Sequence, residues 1–294
     1  MRVLLTGGAG DLGVLLSEAL HKQGDEPSVI DLAPPHGCVK TYFPASILNL
    51  GAVTAAVENA DCIVHIAAWH GIHENKSTKT AGDFHDLNVT GTFNMLDAAA
   101  HEGVKKFIFI SSTSISDRYG VYGHSKIIGE EMARAHAHRH DMDVIILRPR
   151  AFIPSWNTAV YTNFAEWAAW YARGAVHITD VVRAVLCAID YMKNNEGFSP
   201  KAPAFVVDGA YEFTKDDLVN WDKNGPGSTF RKYYPDDAEL LRKYGIDPAK
   251  MPKVLDMDET RQVLGYAPQY SLKNMIEELR RYDAGALKSG QGSL

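Results

Sequence analysis

Thr6-Gly-Gly-Ala-Gly-Asp-Leu-Gly13 sets Gly7, Gly10 and Gly13 at a G-x-x-G-x-x-G spacing, directly after the apolar run Val3 to Thr6 and directly before a helical repeat of Leu12, Leu16 and Ala19. A strand-to-helix turn without Cβ atoms lets backbone amides approach a pyrophosphate, while the helix N-terminus faces its negative charge. Gly7, Gly10, Asp11, Leu12 and Gly13 are therefore the expected phosphate-binding set. Asp31 closes the next apolar run, Ser28 to Asp31, 18 residues beyond Gly13. A carboxylate there accepts hydrogen bonds from the adenosine ribose hydroxyls and repels a 2′-phosphate, which favours NAD over NADP as cofactor.

Further along, short apolar runs alternate with stretches of helical period, the pattern of a parallel sheet covered by helices. Thr41 to Phe43, Cys62 to Ile66, Phe107 to Ser111 and Val144 to Leu147 complete six strand candidates, and Ala204 to Val207 is expected to rejoin the sheet. The predicted fold class is α/β, a Rossmann-type doubly wound parallel sheet with a small C-terminal substrate-binding region. The dinucleotide-binding domain is expected over 1–150 with 176–208 rejoining it, the substrate-binding region over 151–175 and 209–284, and a flexible tail over 285–294. The aromatic stretch Trp156 to Tyr171 reads as a packed lid, with a sugar-stacking wall as the alternative.

Composition narrows the classes. A formal net charge of −6 with dispersed lysines and arginines disfavours nucleic acid as a partner. No apolar run approaches the roughly 18 residues of a membrane span, and the chain opens on a strand-like run, so no membrane association and a cytoplasmic location are expected. Cys38, Cys62 and Cys187, at unrelated spacings, read as buried free thiols. His136, His138 and His140 sit near a helix end, where they suit the macrodipole, and no metal is expected.

Tyr122-Gly-His-Ser-Lys126 puts a phenol and an ammonium on one helical face, and Ser112 lies ten residues earlier, at the end of a strand that should stop over the cofactor. Bringing a phenol from about 10 to about 7 requires about 4 kcal/mol, which one positive charge about 4 Å away supplies at an effective dielectric of about 20. On this reading Tyr122 exchanges the hydroxyl proton of a secondary alcohol, Ser112 holds the substrate oxygen, and hydride passes between the same carbon and nicotinamide.

The chain resembles the extended short-chain dehydrogenase/reductases, the NAD-dependent epimerase/dehydratase family. The likeness rests on an ordered set: the glycine turn, Asp31, HIAA (65–68), NVTGT (88–92), FISS (109–112), YGHSK (122–126), LRPRA (147–151) and VHITDVVRAV (176–185). It implies catalytic roles for Ser112, Tyr122 and Lys126 and a supporting or proton-relay role for Asn88. It also implies that Ala67 and Ala68 line the cofactor ribose, that Lys126 holds the nicotinamide ribose, and that Pro149 to Ala151 border the nicotinamide. A homodimer formed through the helices containing Asn88 and Tyr122 follows from the same likeness.

Departures matter as well. Ser112-Thr-Ser-Ile115 lacks the acidic pair of family dehydratases, which disfavours dehydration. The segments Ser112 to Tyr122 and Ala151 to His177 are short beside those of sugar-nucleotide epimerases, so a compact sugar-like substrate is expected, and the architecture is similar to uronate dehydrogenases. Trp69, His70, Thr113 and Arg150 are substrate-contact candidates, and Arg148, Arg150 and Arg173 remain to meet an anion. The expected function is an NAD-dependent oxidoreductase acting on a secondary alcohol or ketone of a sugar-like substrate. Its alternatives are a sugar or sugar-nucleotide epimerase holding NAD tightly and, from another class, a non-catalytic dinucleotide-sensing regulatory protein.

Overall fold

The structure, a computed structural model, describes residues 1–287. Seven strands form one sheet: β1 (Arg2–Thr6), β2 (Glu26–Asp31), β3 (Thr41–Pro44), β4 (Cys62–His65), β5 (Lys106–Ile110), β6 (Asp143–Pro149) and β7 (Ala204–Val207). Their spatial order is β3-β2-β1-β4-β5-β6-β7, and every neighbouring pair is parallel. Order reverses between β1 and β4, and a doubly wound sheet binds its ligand at the carboxyl ends of the strands flanking such a switch point. The central strands are buried on both faces, which is why Leu4, Leu5, Ile63, Val64, Phe107, Ile108, Ile145 and Ile146 follow one another without polar alternation.

The helices that carry the site are α1 (Asp11–Lys22), α2 (Leu50–Val57), α3 (Gly71–Asn75), α4 (Ala81–Phe84), α5 (Gly91–His101) and α6 (Val121–His140). Between α4 and α5, His85–Thr90 winds as a π-helix, in the stretch where the family likeness implies a helix containing Asn88. Such a segment inserts a residue into the helical ladder and is frequent at functional sites; here it carries Asn88.

The chain divides into two compact units. The first comprises Met1–Pro149, Val182–Val207 and Glu259–Tyr266; the second comprises Arg150–Val181, Asp208–Asp258 and the described residues from Ala267 on. The second has its own aromatic core, in which Phe164, Trp167 and Tyr171 pack with Phe213, Tyr270, Met275 and Leu279. Trp167 is buried and donates its indole N–H to Ile153 O at 2.9 Å, so this part of the aromatic stretch is core. Most of the expected tail, residues 288–294, lies outside the described residues. Among the described residues no helix is long and apolar enough to cross a membrane. The thiols correct one expectation: Cys62 is buried, Cys187 half-buried and Cys38 exposed.

Candidate active site

The glycine turn opens α1 as its spacing predicts. Gly7 has φ of +67°, and a Cβ there would come within 2.9 Å of Ala67 Cα, so this glycine lets the turn lie against the loop that follows β4. Gly13 faces Gly8, where an added Cβ would stand 2.4 Å from a backbone carbon. Since neither side of that contact is a flexible side chain, Gly13→Ala is expected to cost about 1–3 kcal/mol of stability and to weaken NAD binding, measured by urea unfolding and by fluorescence quenching with NAD. Gly8 was not in the sequence motif; a Cβ there would strike Val29 Cγ2 at 2.4 Å, so it packs the turn onto β2.

These residues fit a dinucleotide. Gly10 is the N-cap of α1 and, having no side chain, puts no capping group over its first turn, and a Cβ at Gly10 would meet only Gly7 O at 3.4 Å. Asp31 stands at the end of β2, half-buried, accepting Ala9 N and Ala33 N at 3.0 Å each. Thr6 accepts Ile66 N and Ala67 N at 3.0 Å and pairs with His65 Nδ1 at 2.8 Å, fixing the Ala67-Ala68 loop. His65 Nε2 pairs with Thr92 Oγ1 at 2.9 Å, and Thr92 donates to Asn88 O at 2.6 Å. The hydroxyl donors of Thr6 and Thr92 are thus committed, which assigns His65 its proton on Nε2. Burial, with the Lys126 charge adding to it, pushes His65 down to about 3, so it stays neutral.

Ser112 lies just beyond β5 and Tyr122 in the first turn of α6. The Ser112 hydroxyl acts to lower the Tyr122 phenol, and burial, which outweighs it, pushes the phenol up to about 12. Lys126, one turn on, is buried and donates from Nζ to Ile110 O at 2.8 Å, with Nζ 5.9 Å from the centre of the Tyr122 ring. Burial lowers its ammonium to about 7 against the opposing pull of Glu130. Helical spacing predicts that Lys126 depresses the phenol; in this geometry burial dominates both groups and drives them apart, the phenol up and the ammonium down, each toward its neutral form.

Asn88 is buried in the π-helical turn. Its Oδ1 accepts Trp69 N at 2.7 Å, and its Nδ2 donates to Trp69 O at 2.8 Å and Ser125 Oγ at 3.0 Å. It therefore ties the loop after β4 to α6. Thr113 begins a short 3-10 turn, Thr113–Ser116, with Ser112 as its cap. Pro149 ends β6, and Ala151 O accepts Val176 N at 3.0 Å. Trp69, His70 and His73 cluster, with Lys79 Nζ 4.0 Å over the Trp69 ring.

Two features escaped the sequence reading. The first is a buried hub at Glu130, four residues after Lys126: it accepts Ser111 Oγ at 2.6 Å, Arg148 Nε at 2.8 Å and Nη2 at 2.5 Å, and Arg134 Nη2 at 2.8 Å. Lys126 and Glu130 thus grip consecutive residues, Ile110 and Ser111, of the strand end that presents Ser112. Arg148, expected to meet an anion, is engaged here. The second is Glu74 in α3, whose carboxylate accepts Val121 N at 2.7 Å and Tyr122 N at 3.0 Å.

Arg150, a substrate candidate, is buried in the second unit, with Nη1 on Asp208 Oδ2 at 3.1 Å, Tyr211 Oη at 3.0 Å and Lys253 O at 2.5 Å. Removing one member of a buried ion pair costs about 3–5 kcal/mol. Arg150→Met is therefore expected to lose stability of that size in urea unfolding, a loss that a substrate-contact role alone does not produce. His177 and Asp180 also brace this unit: His177 pairs with Thr179 Oγ1 at 2.7 Å and stacks on Tyr270, while Asp180 accepts Gln269 N and Tyr270 N.

A doubly wound parallel sheet, a glycine turn at its switch point and a Ser, Tyr and Lys set at its carboxyl edge define an enzyme of the short-chain dehydrogenase/reductase type. Residues 3–199 match the NAD dependent epimerase/dehydratase family, and the chain belongs to it. Among its relatives, uronate dehydrogenase of Pseudomonas syringae pv. tomato is 28% identical over 85% of this chain and 87% of its own. UDP-glucose 4-epimerase of Vibrio cholerae is 23% identical over 94% of this chain and 93% of its own. A solved structure of UDP-glucuronic acid 4-epimerase from Bacillus cereus in complex with NAD shares the fold, with a TM-score of 0.67, 18% identity and coverage of 100% of this chain and 99% of that one.

Proposed function

We propose that the protein is an NAD-dependent dehydrogenase that oxidises a secondary alcohol of a sugar-like substrate, or reduces the corresponding ketone. The observation that carries this reading is buried Lys126 one helical turn from Tyr122, its Nζ 5.9 Å from the centre of the phenol ring, with the Ser112 hydroxyl acting on the same phenol. When bound, NAD supplies the hydride acceptor. Gly7, Gly10, Asp11, Leu12 and Gly13 would hold its pyrophosphate, Asp31 its adenosine ribose, Ala67 and Ala68 the opposite wall, and Pro149 and Ala151 the nicotinamide end.

Tyr122 Oη takes the proton from the substrate hydroxyl as the C–H bond breaks, and in reduction it returns that proton to the alkoxide oxygen. Ser112 Oγ holds the same oxygen. Lys126 Nζ stabilises negative charge on Oη; its place is set by Ile110 O, and the Glu130 charge favours its protonated form. Asn88 is a positioning residue, holding Trp69 and α6 at fixed separation. Trp69, His70 and Thr113 remain the substrate-contact candidates; Arg150, given its internal partners, is a brace.

The test is a panel of free sugars, sugar acids and polyols with NAD, read by absorbance of NADH. Net NADH formation supports the dehydrogenase. Turnover without net NADH favours the epimerase, which the Vibrio cholerae relative keeps in view. Cofactor binding with no turnover of any substrate favours the sensor. We also propose a homodimer through α5 and α6, where half-exposed Phe93 lies 5.8 Å from the His136 ring; light scattering on the eluted protein reads its mass.

A further inference from the structure

We propose that Glu74 is the positioning residue that seats Tyr122, reaching from the loop after β4 to cap the helix on which the phenol stands. The inference rests on the dehydrogenase reading above. The N-cap of α6 is Gly120, which has no side chain to offer the first-turn amides. Glu74 supplies both acceptors, with Oε1 on Val121 N at 2.7 Å and Oε2 on Tyr122 N at 3.0 Å. The other end of the Tyr122 residue is held too: Ser125 Oγ donates to Tyr122 O at 2.8 Å and is itself held by Asn88. The ring lies against Gly71, three residues before Glu74, where an added Cβ would stand 3.3 Å from Tyr122 Cδ1. The backbone of Trp69, at the start of the same loop, is fixed in both directions by Asn88.

One acceptor is enough for an ordinary cap. A carboxylate spanning the first two amides of α6, from a loop that also touches the phenol ring, fixes where that ring can be. Misplacement of a reacting group by about 1 Å can cost about 10²-fold in rate.

The charge has a second effect. A helix N-terminus favours negative charge nearby, including phenolate on Tyr122. Glu74 fills that position with its own charge, and Asp117, which accepts Gly120 N at 3.1 Å, adds a second carboxylate. The other polar groups against Tyr122 are Lys126 on α6 and Ser112 beyond β5. Removing the Glu74 charge therefore favours phenolate.

The test uses the full chain with NAD and compares Glu74→Ala and Glu74→Gln with the parent. In protein labelled with 3-fluorotyrosine, the Tyr122 resonance is identified by its loss in Tyr122→Phe. In Glu74→Ala this resonance is expected to shift or broaden, and sodium formate, which can enter the vacated position, is expected to return it. With a substrate from the panel, kcat of Glu74→Ala is expected to fall about 10²-fold with KM for NAD unchanged, and formate to restore part of it. In Glu74→Gln the acid limb of the oxidation profile moves to lower pH by about half a unit. The proposal is overturned if the Tyr122 resonance of Glu74→Ala coincides with the parent's, if formate leaves it displaced, or if kcat is unchanged. Should no substrate be turned over, the dehydrogenase reading fails, while the fluorine resonance still decides whether Glu74 seats Tyr122.

Discussion

Tyr122→Phe is expected to lower kcat by about 10²–10⁴-fold, the usual worth of a positioned proton donor or acceptor, while NAD affinity and fold are retained. The substitution removes one oxygen and leaves the ring, with its contacts to Gly71 and Phe84, in place. The stability cost of removing one buried hydroxyl is about 1 kcal/mol, so lost activity cannot be traced to unfolding. The parent's pH behaviour follows from the same residue. Burial raises the phenol to about 12, so the protonated form dominates at neutral pH. Reduction, which needs that proton, should vary little through neutrality, whereas oxidation, which needs the phenolate, should accelerate toward alkaline pH. Initial rates of both directions, together with NAD titration of the variant, check this. Activity of Tyr122→Phe within tenfold of the parent would remove Tyr122 from the mechanism.

What the sequence disclosed and what it withheld follow from the range of the interactions. Parallel strands buried on both faces write themselves as apolar runs, and all seven were legible to within two residues at either end. The glycine turn was legible because a backbone requirement is local: φ of +67° at Gly7 and the closeness of Gly13 to Gly8 leave little but glycine. The Tyr122 and Lys126 pair was legible because helical spacing puts both on one face. Glu74 was not, since the amides it caps lie 47 and 48 residues away and nothing near Glu74 in the chain announces them. The Glu130 hub was not legible either: its spacing from Lys126 is helical, but its partners Ser111, just beyond β5, and Arg148, in β6, lie 19 and 18 residues away. Arg148 and Arg150 were read as cations awaiting an anion because sequence shows charge and not the carboxylate that meets it. Glu130 and Asp208 do so internally. The π-helical turn at Asn88 is invisible for a related reason: the residue composition of His85–Thr90 suits an ordinary helix as well.

Lys126→Met separates function from stability most sharply. The variant should lose turnover by at least the factor expected for Tyr122→Phe, because Met offers no charge to stabilise phenolate, and its NAD affinity should fall as well. Its fold, however, should gain stability. Burial lowers the Lys126 ammonium to about 7 from an ordinary value of 10.5. Between those pH values the unfolded chain holds a proton that the folded chain has released, so parent stability rises with pH across that window. Below about 7 both states are protonated and the cost of the buried charge is present in full; above about 10.5 it is gone. Methionine has no such cost but leaves Ile110 O without its 2.8 Å donor, an offset of about 1–3 kcal/mol. A net gain of about 2 kcal/mol is therefore expected at pH 7 and below, shrinking as pH rises toward 10. Urea unfolding of parent and variant at several pH values, without added NAD, reads the difference. A variant less stable than the parent at pH 6 would mean that the ammonium is well solvated or well paired where it lies. The phenol would then have a stronger cationic neighbour than its raised value allows.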